Sequence, residues 1–187
     1  MNYLKLDMPG LRFNEDFVYP KIDSIKDTQS WNFNAADVMH KNDLDFYADT
    51  YGINLNTCLI FWLNGKKTNN IHIDGYGTRV NTWAINYIPD QNTSEMRWFK
   101  PLKESVIFKP DIGNLLQTWE QDAALLIDVC IIASTKPTLV RTNIPHQVHN
   151  FSETPRWAFS FRGGGKGVST WDEVINRLTG VRITENT

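Results

Sequence analysis

The spacing of hydrophobic positions changes twice along this chain, and the changes divide it. Residues 1–33 scatter aromatics among Pro, Asp and Asn without a sustained period, which predicts an extended lead-in with one short strand. From Asn42 a helical period sets in. Leu44, Tyr47, Ala48 and Tyr51 fall at i, i+3, i+4 and i+7, and Gly52 stands where such a helix would terminate. Strand-like segments follow. Thr57 to Leu63 is a continuous apolar run closed by the turn pair Asn64-Gly65. Asn70 to Asp74 alternates, with Ile71 and Ile73 on one face and His72 and Asp74 on the other. Gly75-Tyr76-Gly77 loosens the chain, and Asn81 to Ile88 reads as a strand closed by Pro89-Asp90.

Further short strands are predicted at Met96–Phe99, Ser105–Phe108, Ala124–Ala133, Pro137–Thr142, Gln147–Asn150 and Arg156–Arg162. The glycine-rich stretch from Gly163 to Gly167 breaks that order. A last helix begins at Ser169 or Thr170, where Thr170-Trp171-Asp172-Glu173 fits a capping box. Trp171, Val174, Ile175 and Leu178 then form one apolar stripe before Gly180. Helix, many strands, helix is the order of a mostly β protein, an antiparallel double-sheet jelly roll (a double-stranded β-helix, cupin-like) flanked by α-helices. Its expected parts are a lead-in with a short helix at 1–53, a jelly-roll core at 54–162, and a Gly-rich turn with a C-terminal helix at 163–187.

A length of 187 residues suits a single domain. Nineteen basic against 21 acidic residues give a net charge of -2 with no polybasic run, which argues against generic nucleic-acid binding. Met1 to Arg12 lacks the apolar core of a signal peptide, and no stretch nears the roughly 18 apolar residues of a membrane span. A cytoplasmic protein without a membrane partner is expected. Cys58 and Cys130 each lie inside an apolar run and read as buried reduced thiols.

His72 and Asp74 are the first candidates for chemistry. Residues i and i+2 of a strand project the same way, which suits an imidazole and a carboxylate on one ion. By itself such a pair is more often a polar strand edge. His146 and His149 offer a third ligand, because a jelly roll brings sequence-distant strands face to face. Three residues apart on a strand, they face opposite ways and do not share one ion. His40 falls in the approach to the first helix, where a solvated role is the default. Two histidines and one carboxylate can occupy one face of octahedral Fe(II) and leave three positions open. Arg156 opens the run Arg156-Trp-Ala-Phe-Ser-Phe-Arg162. Its odd positions Trp157, Phe159 and Phe161 are large and apolar, while Arg156, Ala158, Ser160 and Arg162 are polar or small. One face thus packs an aromatic core, and the other reads either as a solvated strand face or as the lining of a cavity, where a guanidinium would bind a carboxylate through paired hydrogen bonds.

These residues resemble the Fe(II)/2-oxoglutarate-dependent dioxygenase superfamily, whose pattern is H-x-D/E, a distal His, and an Arg roughly ten residues later. The segments IHIDGYGTRVNTWAINYIPD, SEMRWFKP and PTLVRTNIPHQVHNFSETPRWAFSFR are similar to small stand-alone members of phage and bacterial genomes related to aspartyl/asparaginyl hydroxylases. They lie within residues 71–162, about half the chain. The resemblance implies that His72, Asp74 and His146 ligate Fe(II) and that Arg156 pairs with the C5 carboxylate of 2-oxoglutarate. The Pro-His-x-x-x-Asn context favours His146, and His149 with Arg162 is the alternative pairing. Asn86, on the strand after H-x-D, is a candidate cosubstrate contact, with Trp83 near it. The implied reaction uses O2 and converts 2-oxoglutarate to succinate and CO2 while hydroxylating a small-molecule or peptide substrate that the sequence does not name. The number of subunits is equally unreadable. Two rivals stand beside it: a cupin-like metalloenzyme that does not use 2-oxoglutarate, and a non-enzymatic jelly-roll binding module with Trp62, Trp83, Trp98, Trp119 and Trp157 as stacking surfaces. Four histidines in the whole chain count against the first, and aromatics at strand spacing are more often core than platform, against the second.

Overall fold

A computed structural model describes residues 1–6, 11–25, 30–74, 82–88, 94–108, 116–132, 136–164 and 169–180. The strands are β1 (Tyr3–Lys5), β2 (Ser30–Asn34), β3 (Asn54–Leu63), β4 (Lys67–Thr68), β5 (Ile71–Ile73), β6 (Trp83–Tyr87), β7 (Ser94–Pro101), β8 (Val106–Phe108), β9 (Leu116–Trp119), β10 (Ala124–Ile132), β11 (Thr138–Arg141), β12 (His146–Asn150) and β13 (Arg156–Gly164). The helices are α1 (Glu15–Ile25), α2 (Ala35–Val38), α3 (Lys41–Tyr51) and α4 (Trp171–Thr179). Among them none is long and apolar enough to cross a membrane.

Two antiparallel sheets face each other. The first runs β1-β11-β6-β13-β3-β2, and the second β10-β7-β12-β5-β9-β8 with β4 also paired to β12. Consecutive strands repeatedly land in opposite sheets, β5 in the second, β6 in the first and β7 back in the second, which makes the fold a jelly roll. Ala84, Ile88, Val140 and Ala158 from the first sheet meet Met96, Trp98 and Cys130 from the second, forming the core between them. The other face of the first sheet is covered by helices. Cys58, Ile60, Ile85, Leu139, Phe159 and Phe161 pack there against Val18, Val38, Tyr47, Trp171 and Val174. The alternation expected for β13 therefore holds, with aromatics toward the helices and Ala158 between the sheets. Both cysteines are buried and free.

β4 and β5 form one interrupted ribbon along β12. At the gap, the Asn69 side-chain oxygen accepts from the Val148 N–H at 2.6 Å and replaces a ladder bond. Edge strand β10 of the second sheet leaves Leu125, Leu126, Ile127, Val129 and Ile131 between 39 and 54 % exposed, and no described helix covers them.

The lead-in departs from its expected extended form. α1 occupies Glu15–Ile25 and tolerates Pro20 inside it, while β1 and β2 form the two edges of the first sheet. Proline removes one helical donor and reads in sequence as a breaker. Here Val18 and Ile22, four apart, bury against the sheet and outweigh that loss. The expected strand at Gln147 begins one residue earlier, with His146 inside it, and β13 continues through Gly163 and Gly164 rather than breaking there. β9 was not foreseen. The expected features at Gly75-Tyr76-Gly77 and Pro89-Asp90 lie outside the described residues.

α4 begins as read from the sequence. The Thr170 side chain accepts from the Glu173 N–H at 3.3 Å, and the Glu173 carboxylate accepts from the Thr170 N–H at 2.9 Å. α3 ends at Gly52, whose φ of 66° is left-handed.

Candidate metal centre

His72 and His146 are opposite one another in the pairing of β5 with β12, so their rings leave the sheet side by side with centroids 4.5 Å apart. Asp74 lies just beyond β5, where its backbone N–H donates to the Thr142 carbonyl at 3.0 Å and ties the segment to the end of β11. Asp74 Oδ1 stands 3.4 Å from His72 Nε2 and 3.6 Å from His146 Nε2. Donors each about 2.1 Å from a common ion are separated by about 3 to 3.5 Å for bond angles between right and tetrahedral. The three ligand atoms all lie within 4.8 Å of one another and could hold a metal ion.

Both imidazoles are oriented from behind. His72 Nδ1 donates to the Asn70 carbonyl at 2.8 Å, and His146 Nδ1 to the Ile144 carbonyl at 2.9 Å. A carbonyl only accepts, so each Nδ1 carries a hydrogen, and in its neutral form each ring presents a bare Nε2 toward Asp74. The same device serves both ligands.

Electrostatics favours a charged carboxylate. Burial by itself would raise the Asp74 pKa, but the Arg162 guanidinium, with His146 and His72, holds it well below the ordinary carboxylate range. Burial also works against a proton on His72, yet the Asp74 carboxylate outweighs it and raises that histidine. His146 is lowered by burial and by the charge of His72. The donor set therefore consists of one firmly ionised carboxylate and two imidazoles, only one of which competes well for a proton.

His149 is not part of this cluster. It lies on the opposite face of β12, where Arg97 Nη2 lies 3.0 Å from its Nδ1 and also donates to Glu95 at 2.5 Å. His40 stays exposed near the Phe13 carbonyl. Arg156 is buried at 5 % exposure at the start of β13, on the inner face with Ala158, Ser160 and Arg162, and is engaged by other groups of the chain. Asn86 lies opposite Ser160 on that inner face, and its buried Oδ1 has no hydrogen-bond partner among the described residues. Trp83 packs on the helix-covered side instead and does not face the triad.

Two contributions were not legible in the sequence. Arg162 donates through Nη2 to Asp74 Oδ2, a contact between the two sheets. Asn150, fully buried, donates to the carbonyls of Leu63, Asn64 and Thr154 and accepts from Ser152, which fixes the turn leading to Arg156.

No protein-family model matches the sequence, and no curated protein does. Among solved structures the chain is similar to the oxalate decarboxylase of Lactobacillus farciminis in its formate complex. Identity is 8 %, TM-score 0.38, and the match covers 71 % of this chain and 27 % of that one. It is also similar to oxalate decarboxylase from Bacillus subtilis, at 11 % identity and TM-score 0.37 over 71 % of this chain and 24 % of that one. A third is the capsular polysaccharide assembling protein CapF of Staphylococcus aureus, at 8 % identity and TM-score 0.33 over 56 % and 21 %. This chain thus spans about a quarter of the length of the two decarboxylases. The jelly-roll assignment rests on the strand order itself.

Proposed function

We propose that this chain is an Fe(II)- and 2-oxoglutarate-dependent dioxygenase that hydroxylates a small-molecule or peptide substrate. The observation that carries the reading is the donor set, two bare Nε2 atoms and one carboxylate oxygen gathered inside a jelly roll. Two histidines and a carboxylate fit octahedral Fe(II) with three adjacent positions left over, whereas a closed structural site would use four protein ligands. His72, Asp74 and His146 would hold the ion. When bound, the ion and its cosubstrate supply an oxidation of a substrate C–H bond coupled to conversion of 2-oxoglutarate and O2 to succinate and CO2.

The chain's own residues would do the rest. The backbone carbonyls of Asn70 and Ile144 keep both imidazoles in the ligating tautomer. Arg156, on the inner face of β13, offers a guanidinium for the distal carboxylate of the cosubstrate, and Asn86, opposite Ser160 further along that face, offers a second polar contact. Met96, Trp98 and Ala158 wall the space between the sheets and exclude water. One observation favours the rival, a cupin-like metal centre that does not use 2-oxoglutarate: Arg156 already has partners within the chain.

Anaerobic titration with Fe(II) followed by 2-oxoglutarate separates the two. The expected result is a weak visible charge-transfer band that develops with 2-oxoglutarate, weakened in Arg156→Ala far more than Fe(II) binding itself. Iron bound without the band would leave the rival, and absence of iron binding would remove both.

A further inference from the structure

The fold treats the two oxygens of Asp74 differently. Oδ1 faces the bare Nε2 atoms of His72 and His146, whereas Oδ2 accepts from Nη2 of Arg162. Arg162 comes from β13 in the first sheet, while both histidines lie in the second, so this ion pair spans the space between the sheets. It is well shielded from water, with side chains 13 and 12 % exposed.

Two consequences follow for a divalent ion held by the triad. A carboxylate can ligate through one oxygen or two. With Oδ2 bound to a guanidinium, Asp74 ligates through Oδ1 alone and takes one coordination position. Charge gives the second consequence. Neutral histidines contribute none and Arg162 cancels that of Asp74, so the ion keeps its full double charge in a shielded site, where charges act strongly. Open neighbouring positions together with undiminished positive charge suit an anion that chelates through two oxygens.

We infer that Arg162 is a positioning residue whose hold on Asp74 Oδ2 reserves a coordination position and the ion's charge for a two-oxygen anionic chelator. The inference rests on the metal-binding part of the proposed function and stands whether or not the natural chelator is 2-oxoglutarate. It assigns Arg162 a task apart from receiving a ligand carboxylate: Nη2 is held by Asp74, while the buried Nε has no hydrogen-bond partner among the described residues.

Removal of Arg162 affects the ion in two opposing ways. A freed Oδ2 and a net negative carboxylate strengthen its binding, and lost orientation weakens it. For an anionic chelator both changes act in one direction, because a second Asp74 oxygen fills a position and the attracting charge falls. Chelator affinity is therefore the discriminating quantity.

Mn(II) affinity can be read from the electron paramagnetic resonance signal of the free ion, and oxalate affinity by calorimetry on Mn(II)-saturated protein. The proteins to compare are wild type, Arg162→Lys, Arg162→Gln and Arg162→Met, each checked for fold by circular dichroism. In Arg162→Met oxalate affinity should fall by about tenfold or more, with a smaller change in Mn(II) affinity. Arg162→Gln, which keeps a donor without the charge, should fall between, and Arg162→Lys should stay near wild type. Unchanged oxalate affinity in the Met variant would overturn the inference, as would a loss of Mn(II) affinity equal to or larger than that of oxalate. Should the Met variant not fold, the Gln variant against the Lys variant decides by the same criterion. A wild-type protein that binds no Mn(II) would overturn the metal reading and this inference together.

Discussion

Asp74 shows how much one side chain can carry. It faces two imidazoles with one oxygen and accepts from a guanidinium with the other, all in a site shielded from water. Breaking a buried pair from one side leaves the surviving charge without its counter-ion, at a cost of about 3 kcal/mol. Asp74→Ala in the metal-free protein is therefore expected to lose about that much stability. Asp74→Asn should lose less, because the amide oxygen can still accept from Arg162. Urea unfolding in the presence of a chelator measures both, and equal losses would show that the Arg162 contact is not the reason. This scale also explains what the sequence disclosed about the site. His72 and Asp74 share a face by simple alternation, so their cooperation was readable. Arg162 stands 88 positions from Asp74, and nothing local signals that its guanidinium crosses between sheets. The choice of His146 over His149 follows from parity on β12 once the register opposite β5 is known.

Elements with a strong period were legible, and those whose stability comes from their neighbours were not. α3 and α4 carry an apolar stripe and an end signal, and both form where the pattern places them. α1 contains a proline and draws its stability from packing, so its sequence looks irregular. β1 and β2 have one strand neighbour each, and edge strands need less alternation than central ones. The glycines after Arg162 look like a break but serve the sheet. At the register shift between Arg162 and Gly163, a Cβ on Gly163 would stand 1.9 Å from the Asn54 carbonyl oxygen. β13 thus approaches β3 too closely for any side chain there, immediately beside the residue that reaches Asp74. Gly163→Ala should cost about 2–3 kcal/mol, read as a lowered denaturation midpoint. An unchanged midpoint would mean that the strands separate at the bulge without penalty.

Across the whole molecule the two sheets have different surroundings. The first is covered by helices on its outer side, which leaves the inner side of both sheets for the ligand cluster. On the outer side of the second, Ile71, Phe99 and Ala124 form a small buried cluster, but no described helix lies over its border strand β10, which is apolar and exposed. A bare apolar border invites a second chain to add a strand, the first step toward insoluble assemblies. Two local features oppose this. The register of β10 against β7 slips between Leu126 and Asp128, and a bulged border is a poor template. The Asp128 carboxylate accepts from the Val129 N–H at 2.9 Å and from the Asn2 side chain at 3.1 Å, so that backbone donor is already satisfied. Asp128 is therefore expected to limit strand addition at this border. Asp128→Ala should keep the fold and raise concentration-dependent light scattering on mild warming, whereas scattering equal to wild type would show that the bulge alone protects the border. A jelly roll with an open outermost strand must still prevent that strand from recruiting others, and one carboxylate on β10 is placed to serve that end.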